Sequence, residues 1–280
     1  MEPDVAAPAE PLCLINGQIG SALPVDDRGL AYGDGLFETI RVRAAQPTLL
    51  DYHLRRLRRG AEQLRLELDW AALQSELLLM ASQSGVGVVK LIVTRGSGQR
   101  GYSVAGAQQP LRIVMGSAMP EYPPDHQSKG VELFSCQTRL ASQPLLAGLK
   151  HLNRLEQVLA RSEWLDSRYA EGLMCDQHDR IIECTMSNLF LRWQGHWITP
   201  DLSESGVRGV MRDYLIDRLA EEGDPVSIVA VDQLMLHECS ELFCCNSLYG
   251  VWPIVAMNGL RWPVGQATLA AQQIAKQALL

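Results

Sequence analysis

The chain is organised around the stretch Pro144-Leu-Leu-Ala-Gly-Leu-Lys150-His-Leu-Asn-Arg-Leu-Glu-Gln157. This stretch places one lysine after a small-residue break and before a strongly helical run, where a side chain can be held rigidly and still face a cavity. Lysine is scarce, because only four of the 25 basic residues are lysines, at positions 90, 129, 150 and 276. A lone lysine at a helix start is usually a surface charge. The importance of Lys150 therefore depends on residues elsewhere.

The composition excludes several classes of function. A chain of 280 residues that is 47% hydrophobic and 20% charged is expected to form a packed core. Its net charge of −7 is spread without long blocks of one sign, which argues against nucleic acid as the partner. The seven cysteines contain no Cys-x-x-Cys pair, so we expect reduced thiols and no metal site. Without a signal peptide or an apolar run of ~20 residues, a cytoplasmic protein with no membrane partner is expected.

The pattern of elements predicts two domains. Residues 1–11 are rich in Pro and Ala and are predicted to be a disordered tail. A cluster of prolines around position 120 marks a break between a small N-terminal domain at 12–119, a linker at 120–129 and a large domain at 130–280. Apolar spacing predicts helices at 70–82 and 153–169, and Asn16-Gly17 predicts a hairpin turn. Strands and helices mix without strict alternation, which favours α+β architecture over a doubly wound sheet.

Two further segments carry residues suited to binding. Gly206-Val-Arg-Gly-Val-Met-Arg212 leads into a predicted helix at 207–222, where the amides of Val210 and Met211 could bind an anion. Taken alone, an ordinary glycine-containing helix start is the better interpretation. Glu183 lies near the end of a predicted strand and needs a partner if it is buried. A cationic ring nitrogen and a nearby arginine are equally good candidates.

A lysine, a phosphate-binding helix end and an acid for a pyridine nitrogen are the three protein parts that pyridoxal phosphate requires. The chain resembles the fold-type IV pyridoxal-phosphate enzymes, from about Leu12 to the C-terminus. The resemblance depends on five motifs in order: Tyr32-Gly-Asp-Gly-Leu-Phe-Glu-Thr39, His53-Leu-Arg-Arg-Leu57, Thr94-Arg-Gly96, Lys150-His-Leu-Asn153, and Glu183 with Ser187-Asn188. It implies a smaller N-terminal α/β domain and a larger C-terminal domain built on a mostly antiparallel sheet or barrel.

The resemblance also implies roles for individual residues. It makes Lys150 the Schiff-base lysine and Glu183 the carboxylate on the pyridine nitrogen. The phosphate would be held by Arg56, by the amides of Val210 and Met211, and by the hydroxyl of Ser247. The other arginines of the 51–68 helix are interpreted as a solvated face or a dimer rim. The enzymes of this group are usually homodimers, so a homodimer is expected.

Within the group, the residues after Lys150 and the segment Arg95-Gly-Ser-Gly-Gln-Arg-Gly-Tyr102 are most similar to aminodeoxychorismate lyases. The small-molecule substrate that this implies carries two carboxylates, for which Arg95, Arg100 and Tyr102 are the candidates. They could also be solvated residues of a surface loop. Thr39 is expected to position the reacting groups near Lys150, and the alternative is a β-branched residue chosen for packing.

The expected function is therefore conversion of 4-amino-4-deoxychorismate to 4-aminobenzoate and pyruvate, a step toward folate. An aminotransferase for D- or branched-chain amino acids on the same scaffold is the first alternative. A non-catalytic protein that binds phosphate or nucleic acid through the arginine-rich helix is the second.

Overall fold

Two β-sheets with helices packed against them form the protein. The computed structural model describes residues 12–83, 87–107 and 109–280. The predicted tail at 1–11 lies outside these residues. Helices and sheet strands alternate irregularly along the chain, and the prediction of α+β architecture is confirmed.

The first sheet is antiparallel in every described strand pair and has the order β2-β1-β6-β5-β3-β4. Its chain segment contains β1 (Cys13–Ile15), β2 (Gln18–Ile19), α1 (Arg28–Tyr32), β3 (Gly35–Arg43), β4 (Gln46–Pro47), α2 (Leu50–Leu64), α3 (Trp70–Ser82), β5 (Val88–Thr94) and β6 (Leu111–Ser117). The β1–β2 hairpin turns at Asn16-Gly17, where both residues have positive φ (47° and 81°). A turn of this kind matches the twist of the flanking strands.

The second sheet is mixed and has nine strands, with three parallel pairs: β11–β12, β14–β7 and β7–β8. Its segment contains α4 (Asp125–Ser128), β7 (Val131–Leu140), α5 (Leu155–Arg161), β8 (Tyr169–Asp176), β9 (Ile181–Cys184), β10 (Asn188–Trp193), β11 (His196–Pro200), α6 (Val210–Glu221), β12 (Val226–Val229), α7 (Gln233–Glu238), β13 (Glu241–Asn246), β14 (Gly250–Met257), β15 (Leu260–Arg261) and α8 (Gln266–Ala278). The first sheet ends at Ser117 and the second begins at Val131. The domain division at 120–129 stays a prediction.

Strand β3 gives the first sheet two distinct faces. Leu36, Ile40 and Val42 are buried in the core against α2 and α3. Successive side chains of a strand point to opposite faces, so Phe37 and Thr39 lie on the other face, where both line a cavity. One strand therefore supplies both core residues and cavity residues.

Helix α6 is anchored to the second sheet by apolar packing. Met211 and Leu215 of α6 are fully buried against Phe190 of β10 and Phe243 of β13. The Phe190 and Phe243 rings stack with centroids 4.8 Å apart. Because burial of this apolar face fixes the helix, its N-terminus has a defined position at the cavity.

The seven cysteines are free thiols, and six of them are buried. Among the described residues, no cluster of His, Cys, Asp and Glu is suited to holding a metal ion. No helix of the described segments is long and apolar enough to cross a membrane.

Candidate active site

A cavity of about 660 Å³ lies between β3 of the first sheet and the ends of β9, β13 and α6 of the second. Most of the residues that the sequence analysis selected for the cofactor and for catalysis line it together. These are Thr39, Arg56, Lys150, Glu183, Val210 and Ser247. They come from six separate segments of the chain, so only the fold brings them together.

Lys150 is held by backbone pairing with β3 and not by a helix. The amide of Phe37 donates to the carbonyl of Lys150 (2.9 Å), and the amide of Leu152 donates to the carbonyl of Gly35 (3.1 Å). The predicted helix at 153–169 is wrong in its extent, because α5 covers only Leu155–Arg161. The extended segment around Lys150 continues the hydrogen bonding of β3, and this tertiary pairing overrides local helix propensity.

The Lys150 amine is placed in an environment that disfavours its charge. Its Nζ lies 4.4 Å from the centre of the Phe37 ring. Burial, helped by the nearby positive charge of Arg56, lowers the pKa of Lys150 to about 7. A substantial share of Lys150 is therefore a neutral amine near pH 7, and a neutral amine is nucleophilic and basic.

Glu183 is a buried acid whose carboxylate also faces the cavity. Its side chain belongs to β9, is 4% exposed, and accepts hydrogen bonds from the Val207 amide (2.8 Å) and from Nε2 of Gln157 (3.3 Å). Burial raises the pKa of Glu183 to about 7. Within the described segments Glu183 makes no ion pair, while the nearby positive charge of Arg154 acts to lower its pKa, so the ring nitrogen and a nearby arginine both stay predicted partners of Glu183.

The N-terminus of α6 points uncapped into the cavity. The helix begins at Val210 after Gly209, which as a glycine supplies no side-chain cap to the first-turn amides. A Cβ at Gly209 would lie 2.0 Å from Oδ1 of Asn188, so glycine is required by close packing. The Met211 side chain is fully buried, and only its backbone amide belongs to this helix end. Such an end is suited to an anion.

Arg56 belongs to a buried network that the sequence analysis missed. Its Nε donates to Oε1 of Glu38 (2.8 Å), its Nη2 also bonds Glu38, and Nδ1 of His53 lies 2.6 Å from Oε2 of Glu38. Burial alone would raise the pKa of Glu38, but Arg56 and His53 outweigh it and hold the pKa at about 2. The signal for Glu38 was present, because it is the one acid on the apolar face of β3.

Arg95, one of the three residues proposed to bind the substrate, does not line this cavity. Arg95 is 6% exposed and its guanidinium is bound to both carboxylate oxygens of Asp34 (2.7 and 3.0 Å) and to the carbonyls of Leu64 and Arg65. Most of the Arg95 donors are therefore used inside the packing of the first sheet, and its assignment to substrate stays a prediction. Arg100 and Tyr102 are exposed and do not line this cavity, and their roles stay predictions.

Asp34 connects two buried arginines, since it also binds Nε of Arg28 (3.1 Å). Replacement of Asp34 with asparagine removes the charge that balances both, and we expect a loss of about 2 kcal/mol in the free energy of unfolding. Urea denaturation measures this loss. Asp166→Asn, which alters an exposed pair with Arg168, is the control and should change stability by less than about 0.5 kcal/mol. Equal effects of the two substitutions would contradict the structural role of Asp34.

Comparisons with known protein families, sequences and structures all match this chain to the same family. The family model for class IV amino-transferases matches residues 35–257. An aminodeoxychorismate lyase of Vibrio harveyi is 34% identical over 263 residues, which cover 92% of this chain and 97% of that protein.

Solved structures agree in fold. A 4-amino-4-deoxychorismate lyase of Pseudomonas aeruginosa superposes with a TM-score of 0.93 at 51% identity, covering 95% of this chain and 98% of that one. A hypothetical aminotransferase of Mycobacterium tuberculosis in its PLP-bound form has a TM-score of 0.84 at 18% identity, covering 96% and 99%, and so shares the fold. With most of its length matched by the family model and by a relative above 30% identity, this chain belongs to the class IV aminotransferase family.

Proposed function

We propose that this protein is a pyridoxal-phosphate-dependent lyase that converts 4-amino-4-deoxychorismate to 4-aminobenzoate and pyruvate. The observation that carries the proposal is the single cavity in which Lys150, Glu183 and the uncapped end of α6 meet. The similarity to two lyases at 34% and 51% identity supports this reaction over the others of the family. The proposed product would serve folate synthesis.

The residues present fit pyridoxal phosphate. The amides of Val210 and Met211 at the uncapped helix end would hold the phosphate. Arg56 and Ser247 line the cavity and are proposed to join them, although Arg56 is paired with Glu38 and the Ser247 hydroxyl donates to the Thr39 carbonyl in the structure. Glu183, a buried carboxyl that makes no ion pair among the described residues, would take the ring nitrogen. The bound cofactor supplies an electron sink for the bonds next to the substrate amine.

The protein's own residues would move the protons. Lys150, with a pKa lowered to about 7, holds the cofactor in the resting state and then accepts the proton from C4 of the substrate at its Nζ. The C3–O bond breaks with its electrons on oxygen, and the released enolpyruvate takes up a proton to become pyruvate. The ring, having lost C4–H and C3–O, becomes the aromatic ring of 4-aminobenzoate, and Lys150 would again hold the cofactor.

Thr39 is proposed to orient the reacting groups. It lies on the cavity face of β3 and lines the cavity. Its backbone carbonyl accepts a hydrogen bond from the Ser247 hydroxyl (3.1 Å). Thr39→Val keeps the shape and removes one hydroxyl, so we expect turnover to fall roughly 10-fold while the Kd for pyridoxal phosphate stays unchanged. Steady-state kinetics and cofactor titration measure the two effects. Unchanged turnover would assign Thr39 to strand packing.

The function is tested by supplying 4-amino-4-deoxychorismate to the cofactor-loaded protein and measuring 4-aminobenzoate and pyruvate together. Equal molar release of both is expected, without any amino-acid co-substrate. Conversion of the cofactor to its amine form by D-alanine or a branched-chain amino acid, with no 4-aminobenzoate, would replace the lyase with an aminotransferase. A protein that stays colourless with pyridoxal phosphate would exclude both enzymes.

The homodimer and the cytoplasmic location are part of the proposal; the family resemblance supports the first, and the free cysteines support the second. Analytical ultracentrifugation of the full chain tests the dimer. In a dimer, the exposed Arg100 and Tyr102 could reach the cavity of the partner copy.

A further inference from the structure

We propose that Arg154 is the residue that binds a carboxylate of the substrate and so determines the preference for an acidic substrate. This inference deepens the proposed function and depends on it for the identity of the substrate. Arg154 immediately precedes α5 and lines the active-site cavity close to Lys150 and Glu183.

The guanidinium of Arg154 has no acidic partner in the described part of the chain. Within residues 12–83, 87–107 and 109–280, its one hydrogen-bond contact is from Nη2 to the ring of His151 (2.6 Å to Nε2 and 3.0 Å to Nδ1), and its Nε is buried without a partner. Burial lowers the pKa of Arg154, although the nearby charges of Glu183 and Glu156 act in the opposite direction. Neither acid forms an ion pair with Arg154 among the described residues, so a ligand carboxylate at the cavity could pair with the remaining N–H groups of the guanidinium.

His151 fixes Arg154 without neutralising it. Burial, together with the charge of Arg154, lowers the pKa of His151 to about 4, so the ring is neutral near pH 7 and accepts a hydrogen bond from Nη2. The rest of the guanidinium is left for a ligand. An anchor that is already positioned loses less side-chain entropy when a ligand binds.

A second, smaller cavity of about 230 Å³ also reaches Arg154. Arg154 and Gln157 line both cavities, and Oε1 of Gln157 is buried without a partner. Polar atoms without partners therefore concentrate where the two cavities meet. A polar group of a ligand at this point would satisfy them, whereas an apolar group would not.

Arg161, at the end of α5, already has protein partners for its guanidinium. Arg161 lines the active-site cavity too, but its Nη1 donates to the carbonyl of Trp164 (3.0 Å) and its guanidinium stacks 4.6 Å from the Trp164 ring. It is more exposed than Arg154 and already has its contacts. Arg161 is therefore a matched control, an arginine that lines the same cavity from the opposite end of α5.

The test compares acids with their neutral amides on the cofactor-loaded protein. Binding of 4-aminobenzoate and 4-aminobenzamide, and of pyruvate and pyruvamide, is measured by calorimetry for the wild type, R154Q, R154K and R161Q. In the wild type we expect at least one acid to bind 10- to 100-fold more tightly than its amide. R154Q should abolish that preference, R154K should keep part of it, and R161Q should keep all of it.

The ligand pair that loses its preference identifies which substrate carboxylate meets Arg154. In turnover, R154Q should raise KM for aminodeoxychorismate 10- to 100-fold and change kcat by less than about 3-fold. The proposal is overturned if R154Q weakens acid and amide equally, or if every preference survives. A protein that makes no 4-aminobenzoate but loses its acid preference in R154Q would refute the lyase and keep the carboxylate anchor.

Discussion

Replacement of Lys150 with alanine is expected to lower turnover of 4-amino-4-deoxychorismate by roughly 10⁴-fold, because one side chain both holds the cofactor and moves the C4 proton. The same substitution should abolish covalent trapping of the cofactor by borohydride, since no other lysine lines the cavity among the described residues. Stopped assays of 4-aminobenzoate and mass spectrometry of the reduced protein measure the two effects.

Lys129→Ala is the matched control for Lys150→Ala. Lys129 is exposed, pairs with Asp125 on the surface (2.8 Å), and lies outside the cavity. This control should retain full turnover and the trapped cofactor. Turnover of Lys150→Ala within 10-fold of the wild type, or trapping at another residue, would show that Lys150 is not the reacting amine.

Local sequence patterns correctly predicted the elements that are stabilised mainly by residues close to them in the sequence. The apolar spacing of residues 70–82 predicted a helix that α3 reproduces, and Asn16-Gly17 predicted the first hairpin. The helix predicted at 153–169 was overestimated, because α5 begins only after the segment 150–152, which pairs with β3 more than a hundred positions earlier in the chain, and ends at Arg161. The spacing of apolar residues along the chain carries no information about pairing with a strand so far away in sequence.

The same limit applies to the site. Motif resemblance selected Lys150, Glu183 and Arg56 one by one, and the fold places all three on one cavity. The sequence shows two arginines but not their partners. In the structure Arg95 is paired with Asp34, whereas Arg154 lines the cavity and makes no ion pair among the described residues. Whether a charge is available to a ligand depends on its tertiary partners, and those partners are visible only in the structure.

Glu183→Gln is expected to change activity and stability in opposite directions. In the holoenzyme, loss of the negative charge proposed to meet the ring nitrogen should lower turnover about 10²- to 10³-fold. In the cofactor-free protein, the folded-state pKa of Glu183 is raised from 4.5 to about 7, so the folded state binds more protons than the unfolded state between these values. Stability is therefore lost as pH rises through this window, and the full penalty of ~3 kcal/mol is present above pH 7.

Because glutamine carries no charge, cofactor-free Glu183→Gln should be more stable than the wild type at pH 8 and equally stable near pH 4.5. Thermal unfolding across this range measures the difference. Glu171→Gln is the matched control, since Glu171 is also buried but is held by Thr185 (2.5 Å) and Ser187 (2.8 Å) and does not line the cavity. If both variants lost turnover equally, the loss would be a general effect of replacing a buried glutamate and would not depend on contact with the cofactor. The expected result is that only Glu183→Gln loses turnover and that the same variant is more stable without the cofactor. This result would mean that a carboxylate that destabilises the fold is kept at position 183 because it binds the ring nitrogen of the cofactor.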